Sequence, residues 1–250
     1  MAEAVATLPA ARRTEVLRQS WSVGIATGLY GISFGALAVA AGLSIWQTQA
    51  LSLLMFTGGS QFAFVGIIGT GGLAAAPAAI ATATMLSIRN GLYALQTRTF
   101  LDAAGVKRLG AAQLTIDEST AVGLAQPEPA AQRLGFWHTG IAVFLFWNLM
   151  TFLGALAGNA MGDPRVYGLD GAAVAAFTAL VWPRLASTTA RLTASLAVAL
   201  ALMSSPLVPA GIPVLIAALA AVALGLRSAA QHEPPLEGED GELPGSDPVP

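Results

Sequence analysis

The sequence contains no cysteine, which excludes disulfides, thiolate nucleophiles and cysteine-based metal sites. Its two histidines, His138 and His232, lie far apart, so a histidine-built metal centre is not expected. Charge is scarce too. Only 10% of the residues are charged, against about 25% in a soluble domain, too few to cover a water-facing surface. The stretch from Trp21 to Thr97 holds a single fully charged residue, Arg89. With a mean hydropathy of +0.66, the chain suits lipid as its solvent. Lipid cannot hydrogen-bond a backbone, so spanning elements must be helices or a closed barrel. Long apolar runs without period-two alternation select helices, and the expected fold is an all-α, polytopic membrane protein.

Seven apolar segments are present: Trp21–Ala41, Ala50–Gly69, Leu73–Leu95, Phe136–Ala157, Asp170–Trp182, Leu192–Leu202 and Ile212–Leu226. The first follows Arg12, Arg13 and Arg18 but is too long for a typical signal peptide, and Tyr30, Ser33 and glycines interrupt it. It reads as an uncleaved span. Short cytoplasmic loops accumulate Lys and Arg, and this rule tests the count. If all seven segments cross, Arg98, Lys107, Arg108 and Arg133 fall outside. If Ala50–Gly69 instead enters and leaves on one side, ten of the twelve basic residues become cytoplasmic. The expectation is therefore six full spans plus one re-entrant or broken helix, with both termini cytoplasmic in a cell (inner) membrane. A re-entrant stretch near Leu114–Leu124 satisfies the same count. Residues 1–20 then form a cytoplasmic segment, 21–227 the membrane domain, and 228–250 a tail rich in Pro, Gly, Glu and Asp that cannot bury a core.

Thr57, Gly58, Gly59, Ser60 and Gln61 cut the second segment into two halves, because paired glycines weaken a helix. Backbone groups released there must be buried in protein or line a wet cavity. The alternative is a continuous helix whose small residues allow close packing. The short segment ending at Trp182-Pro183 suggests a second broken element, and with Ala50–Gln61 it would make an inverted repeat around a midplane site.

Arg89 and Tyr93 stand one helical turn apart, with Asn90 beside them, at a depth where arginine needs a partner or a cavity. Asp117 and Glu118 are the candidates for that partner, and a buried carboxylate there offers a site for proton coupling. An amphipathic cytoplasmic helix with a solvated acidic face explains the same pair. Trp147 and Asn148 lie mid-span, where helix packing accounts for them, and Asn148 is also kept as a pathway residue. Trp21, Trp46, Trp137 and Trp182 sit near segment ends as interface anchors. Gly58-Gly59-Ser60-Gln61-Phe62 begins like a nucleophile elbow, but Phe62 stands where glycine is required and no strand precedes it. The chain is not expected to be an enzyme, and no cofactor is implied.

Gly31 to Ala38, Phe56 to Phe62, Arg89 to Tyr93, Thr115 to Ser119, Gly168 to Asp170 and Pro209 to Pro213, taken in order, give the chain a likeness. Over residues 20–226 it resembles the AzlC-type branched-chain amino acid exporter family. The resemblance implies export of branched-chain and similar apolar amino acids, with a small hydrophobic AzlD-type membrane protein as partner. Family members often carry alanine or a second serine near Gly59, and the long acidic tail is a departure. A non-transporting membrane scaffold subunit is the alternative from another class. The pathway candidates are thus Thr57, Gly58, Gly59, Ser60, Gln61, Arg89, Asn90, Tyr93, Asp117, Glu118 and Asn148.

Overall fold

The computed structural model describes residues 8–161, 185–209 and 211–230, together with Thr178, Val181 and Trp182. These residues form helices α1 (Ala10–Ala40), α2 (Ile45–Leu54), α3 (Gly58–Gly71), α4 (Ala76–Leu101), α5 (Val106–Leu114), α6 (Asp117–Leu124), α7 (Pro129–Met161), α8 (Thr188–Ser204) and α9 (Ile212–Ala230), and no strand. Ser44 and Gln47 form a reciprocal cap that starts α2. Gly72, at φ +60°, stops α3 and opens a 3-10 turn, Gly72–Ala75, into α4.

The framework is the pair α1 and α7, which run parallel. Gly24, Gly28, Gly31 and Gly35 meet Ala142, Phe146, Trp147 and Thr151 in rising order, and Gly154 and Gly158 meet Ile32 and Ala36. Small residues at this spacing let helix backbones approach, which is how helices associate where lipid supplies no hydrophobic drive. Both helices start at one end of the molecule, here the lower end, and finish at the upper.

The chain then turns back. Along α2, Trp46 stacks near Phe152 with ring centroids 6.2 Å apart, Gln49 reaches Asn148, and just beyond it Phe56 packs on Phe144. So α2 descends along α7 to its middle. After the break at Met55–Thr57, α3 climbs again, and a Cβ on Gly69 would lie 3.2 Å from that of Ala41 at the top of α1. Residues 45–71 therefore enter and leave at the upper end, as a re-entrant hairpin. Ten residues of α helix rise about 15 Å, half of a hydrocarbon core of about 30 Å.

Helix α4 runs the full depth to the lower end, where Arg133 bonds the Phe100 carbonyl at 3.1 Å. From there α5 ascends past Trp137 and Gly140, and Gln113 near its tip donates to the Leu53 carbonyl at the tip of α2, 2.8 Å away. After a break at Thr115–Ile116, α6 descends until Gly123 lies against Phe100 and Phe136, and Gln126 bonds Gln19. This is a second re-entrant hairpin, entering from the opposite end. Helices α8 and α9 pack together, and Gly211 between them touches Ala78 and Ile67 at the upper end.

Among the described residues, Ala10–Ala40, Gly58–Leu101 and Pro129–Met161 are long and apolar enough to cross a membrane. The middle stretch folds back at Gly71–Ala75, where α3 packs on α4, so α4 is its crossing element and α3 a half-depth one. The expected count of six full spans is not established by these helices. Asp170–Pro183 lies outside the described residues except at Thr178, Val181 and Trp182. The anticipated counterpart of Ala50–Gln61 thus lies largely outside the described residues, and among these the hairpin opposed to α2–α3 is α5–α6. A step of 59 residues carries Gly58, Gly59 and Ser60 at the start of α3 onto Asp117, Glu118 and Ser119 at the start of α6. The same step carries Tyr30 of α1 onto Arg89 of α4. Helix α1 begins at Ala10, inside the expected N-terminal segment 1–20.

The solvent preference is written in the burial pattern. Ser20, Thr48, Ser52, Thr139 and Thr151 are fully buried, while Ile80, Ile88, Leu92, Leu95 and Leu145 are each more than half exposed. An apolar exterior around a hydroxyl-lined interior is stable in lipid, and the protein is a membrane protein.

The close α1–α7 contact yields a measurable asymmetry. A Cβ at Gly35 would collide with the Thr151 carbonyl, whereas one at Gly91 meets nothing within 4 Å. Gly35→Ala is expected to cost about 1–3 kcal/mol through overpacking, read as a lowered melting temperature in detergent, while Gly91→Ala leaves it unchanged or raised. Equal effects of the two would contradict the α1–α7 contact.

Candidate functional site

The two hairpin tips do not close on each other completely. They leave a cavity of about 110 Å³, several times the roughly 10–15 Å³ that one water occupies on the same measure. The α2–α3 break supplies Phe56, Thr57, Gly58 and Gly59, and the α5–α6 break supplies Ile116, Asp117 and Glu118. Thr27 and Tyr30 of α1, Arg89 and Asn90 of α4, and Val143 and Trp147 of α7 complete its wall, with Phe62 one turn above Gly58.

Arg89 crosses between the breaks. Its Nη2 bonds Asp117 Oδ2 at 3.0 Å, with both side chains about 30% exposed, and the same nitrogen would lie 3.2 Å from a Cβ on Gly59. Of the two acids considered as its partner, Asp117 is the one in contact. Arg89 Nε and Asn90 Oδ1 are buried with no hydrogen-bond partner. Glu118 takes part in no ion pair among the described residues and faces both the cavity and an adjoining groove. That groove, lined also by Tyr93, Gln96, Thr120, Ala121 and Leu124, follows α6 toward the lower end.

The upper side of the cavity is roofed by aromatic rings. Phe34 stacks on Trp147 at 6.0 Å, and Phe62 meets both edge-on. Trp147 is 4% exposed, its ring tip would touch a Cβ on Gly58 at 3.2 Å, and its indole Nε1 is buried without an acceptor.

Several residues singled out in the sequence serve the scaffold. Ser60 is fully buried, and its hydroxyl pairs with Ser87 at 3.0 Å and Thr57 at 3.4 Å, joining α3 to α4. Gln61, also fully buried, donates to the Leu51 carbonyl and so staples α3 to the end of α2. Asn148 bonds the Phe144 carbonyl at 2.8 Å and accepts from Gln49, on the α2 side of α7. Tyr93 lines the groove and not the cavity. Conversely, Trp147, Tyr30, Phe56, Phe62 and Val143 line the cavity and were not anticipated as site residues. The one signal for Trp147 was an indole N–H in mid-span that needs a partner.

The family model described as AzlC protein matches residues 22–161, more than half of the chain. The chain belongs to the AzlC family. The matched region takes in both hairpins and every residue that lines the cavity, and it stops where α7 stops. AzlC membership agrees with a membrane transporter. No curated protein and no solved structure gives a significant match.

The Arg89–Asp117 pair joins α4 to the tip of the second hairpin. A double-mutant cycle of Arg89→Gln and Asp117→Asn, followed by thermal melting in detergent, is expected to give a coupling energy of about 0.5–3 kcal/mol. Additive effects would show that the two side chains do not interact.

Proposed function

We propose that this AzlC-family protein is a permease of the cell membrane that exports branched-chain and related apolar amino acids, working with a small AzlD-type membrane partner. The observation that supports it most is the mid-depth cavity between two opposed half-depth hairpins. Transporters place substrate at discontinuous helices near the midplane, and the lining here mixes apolar side chains with a guarded ion pair, as a small amphipathic solute requires.

The orientation in the membrane is read from charge. Arg12, Arg13, Arg18, Arg98, Lys107, Arg108 and Arg133 all belong to the lower end of the structure, whereas the upper turns at 41–44 and 72–75 carry none. The lower end is therefore read as cytoplasmic, with both termini there and six full crossings in all. On that reading the groove beside Tyr93 and Glu118 is the approach from the cytoplasm. A hydrolytic role for Ser60 is not favoured, since its hydroxyl partners are Thr57 and Ser87.

Inverted vesicles containing the chain and its partner are expected to accumulate labelled leucine, and Arg89→Ala to lower the rate by about tenfold or more. A change of that size corresponds to about 1.4 kcal/mol of lost interaction. Uptake no greater than in vesicles lacking the chain would favour a scaffold subunit instead.

A further inference from the structure

We propose that the cavity is bipolar, holding a carboxylate at the start of α3 and an ammonium at the start of α6, so that its ligand is a zwitterion with an apolar side chain. This rests on the transport reading and assigns the ends of the substrate to particular atoms.

The first pole is an uncapped helix end. The 14-residue α3 has no side-chain cap and no acid in its first turn. The N–H groups of Gly58 and Gly59, which line the cavity, have no intrahelical acceptor. The positive end of a helix favours an anion there. Trp147 lines the same cavity: it is 4% exposed, the tip of its ring packs against Gly58, and its buried indole N–H has no acceptor. Arg89 Nε is a second buried donor without a partner, on a guanidinium that already touches Gly59. Trp147 Nε1 and Arg89 Nε, the buried unpartnered nitrogens on the residues of this wall, are both donors, and a carboxylate accepts from several donors at once.

The second pole has the opposite sign. The dipole of α6 is met by its own first-turn acids, Asp117 and Glu118. Arg89 neutralises Asp117, while Glu118 is in no described ion pair. Asn90 Oδ1, on the cavity wall, is a buried acceptor with no donor. An ammonium supplies what both lack. With one carboxyl group in excess over Arg89, a simple anion finds no counterpart at the α6 end, and a simple amine leaves the α3 end unsatisfied. Phe56, Phe62, Ile116 and Val143 offer the ligand's side chain an apolar wall.

Binding to the full-length chain purified in detergent tests this with three probes: leucine, isocaproate, which lacks the amine, and isoamylamine, which lacks the carboxylate. Leucine is expected to bind at least about tenfold more tightly than either half. Trp147→Phe keeps an aromatic ring in the stack while removing the N–H together with the rest of the fused ring. It is expected to weaken leucine and isocaproate several-fold and to leave isoamylamine unchanged. Glu118→Gln should weaken leucine and isoamylamine and spare or improve isocaproate. Should Trp147→Phe fail to fold by melting temperature, Gly59→Ala probes the same pole. Asn90→Ala stands in likewise for Glu118→Gln. Variants that affect all three probes alike, or none, would overturn the two poles even if wild-type vesicles transport leucine. The split between the half-ligands, seen without leucine uptake by vesicles, would support the poles and overturn the transport reading. No binding of any probe overturns both.

Discussion

A helix that stops at mid-depth in a bilayer exposes carbonyl and amide groups where no water can reach them, and the fold is arranged around satisfying two such stops. At the tip of α2, Leu51 accepts from Gln61 and Leu53 from Gln113, so each carbonyl is met by a side chain from a different helix. At the tip of α5, Thr115 donates to Ala111, and Ser119 bonds Leu114 while receiving the Ile116 N–H at 3.2 Å. The carbonyls are met and α6 carries its own acids. Among the described residues, the start of α3, flanked by glycines and uncapped, is a broken end left with donors and no side chain to receive them. The cavity forms against that end.

The rigid parts hold this arrangement in place. Parallel packing of α1 on α7 through glycines sets two long rods whose middles face the breaks, and α4, packed on α3 and α6, carries Arg89. Because the two hairpins enter from opposite ends, the cavity is bounded below by an ion pair beside a groove and above by a stacked aromatic trio.

Much of this was legible in the sequence at particular residues. The interruption at Thr57–Gln61 stood out because glycine pairs weaken a helix in a run too short to span twice, and lone Arg89 demanded a carboxylate that only Asp117 or Glu118 offered nearby. The second hairpin was harder to see. Its helices have nine and eight residues and include Lys107, Arg108, Asp117 and Glu118, so no apolar run announces them. The inverted repeat was hidden for a related reason: the step between halves sets Gly58 and Gly59 against Asp117 and Glu118, unlike residues at like positions, with Ser60 and Ser119 alone unchanged. Gln61 was named for its place in the break and Asn148 for its amide in mid-span, and each amide nitrogen donates to a backbone carbonyl, of Leu51 and of Phe144. Nothing local in α7 tells that Trp147 faces a break some ninety residues earlier.

The claim on which all of this rests is that two hairpins from opposite ends meet at their tips. The absence of native cysteine makes a direct measurement simple. With Leu53→Cys and Gln113→Cys in one chain, a short thiol-to-thiol bis-maleimide cross-linker applied to native membranes should join α2 to α5, because the Gln113 side chain reaches across to the Leu53 carbonyl at 2.8 Å. Failure of that pair to cross-link, while a control pair placed on α1 and α7 does so readily, would contradict the account.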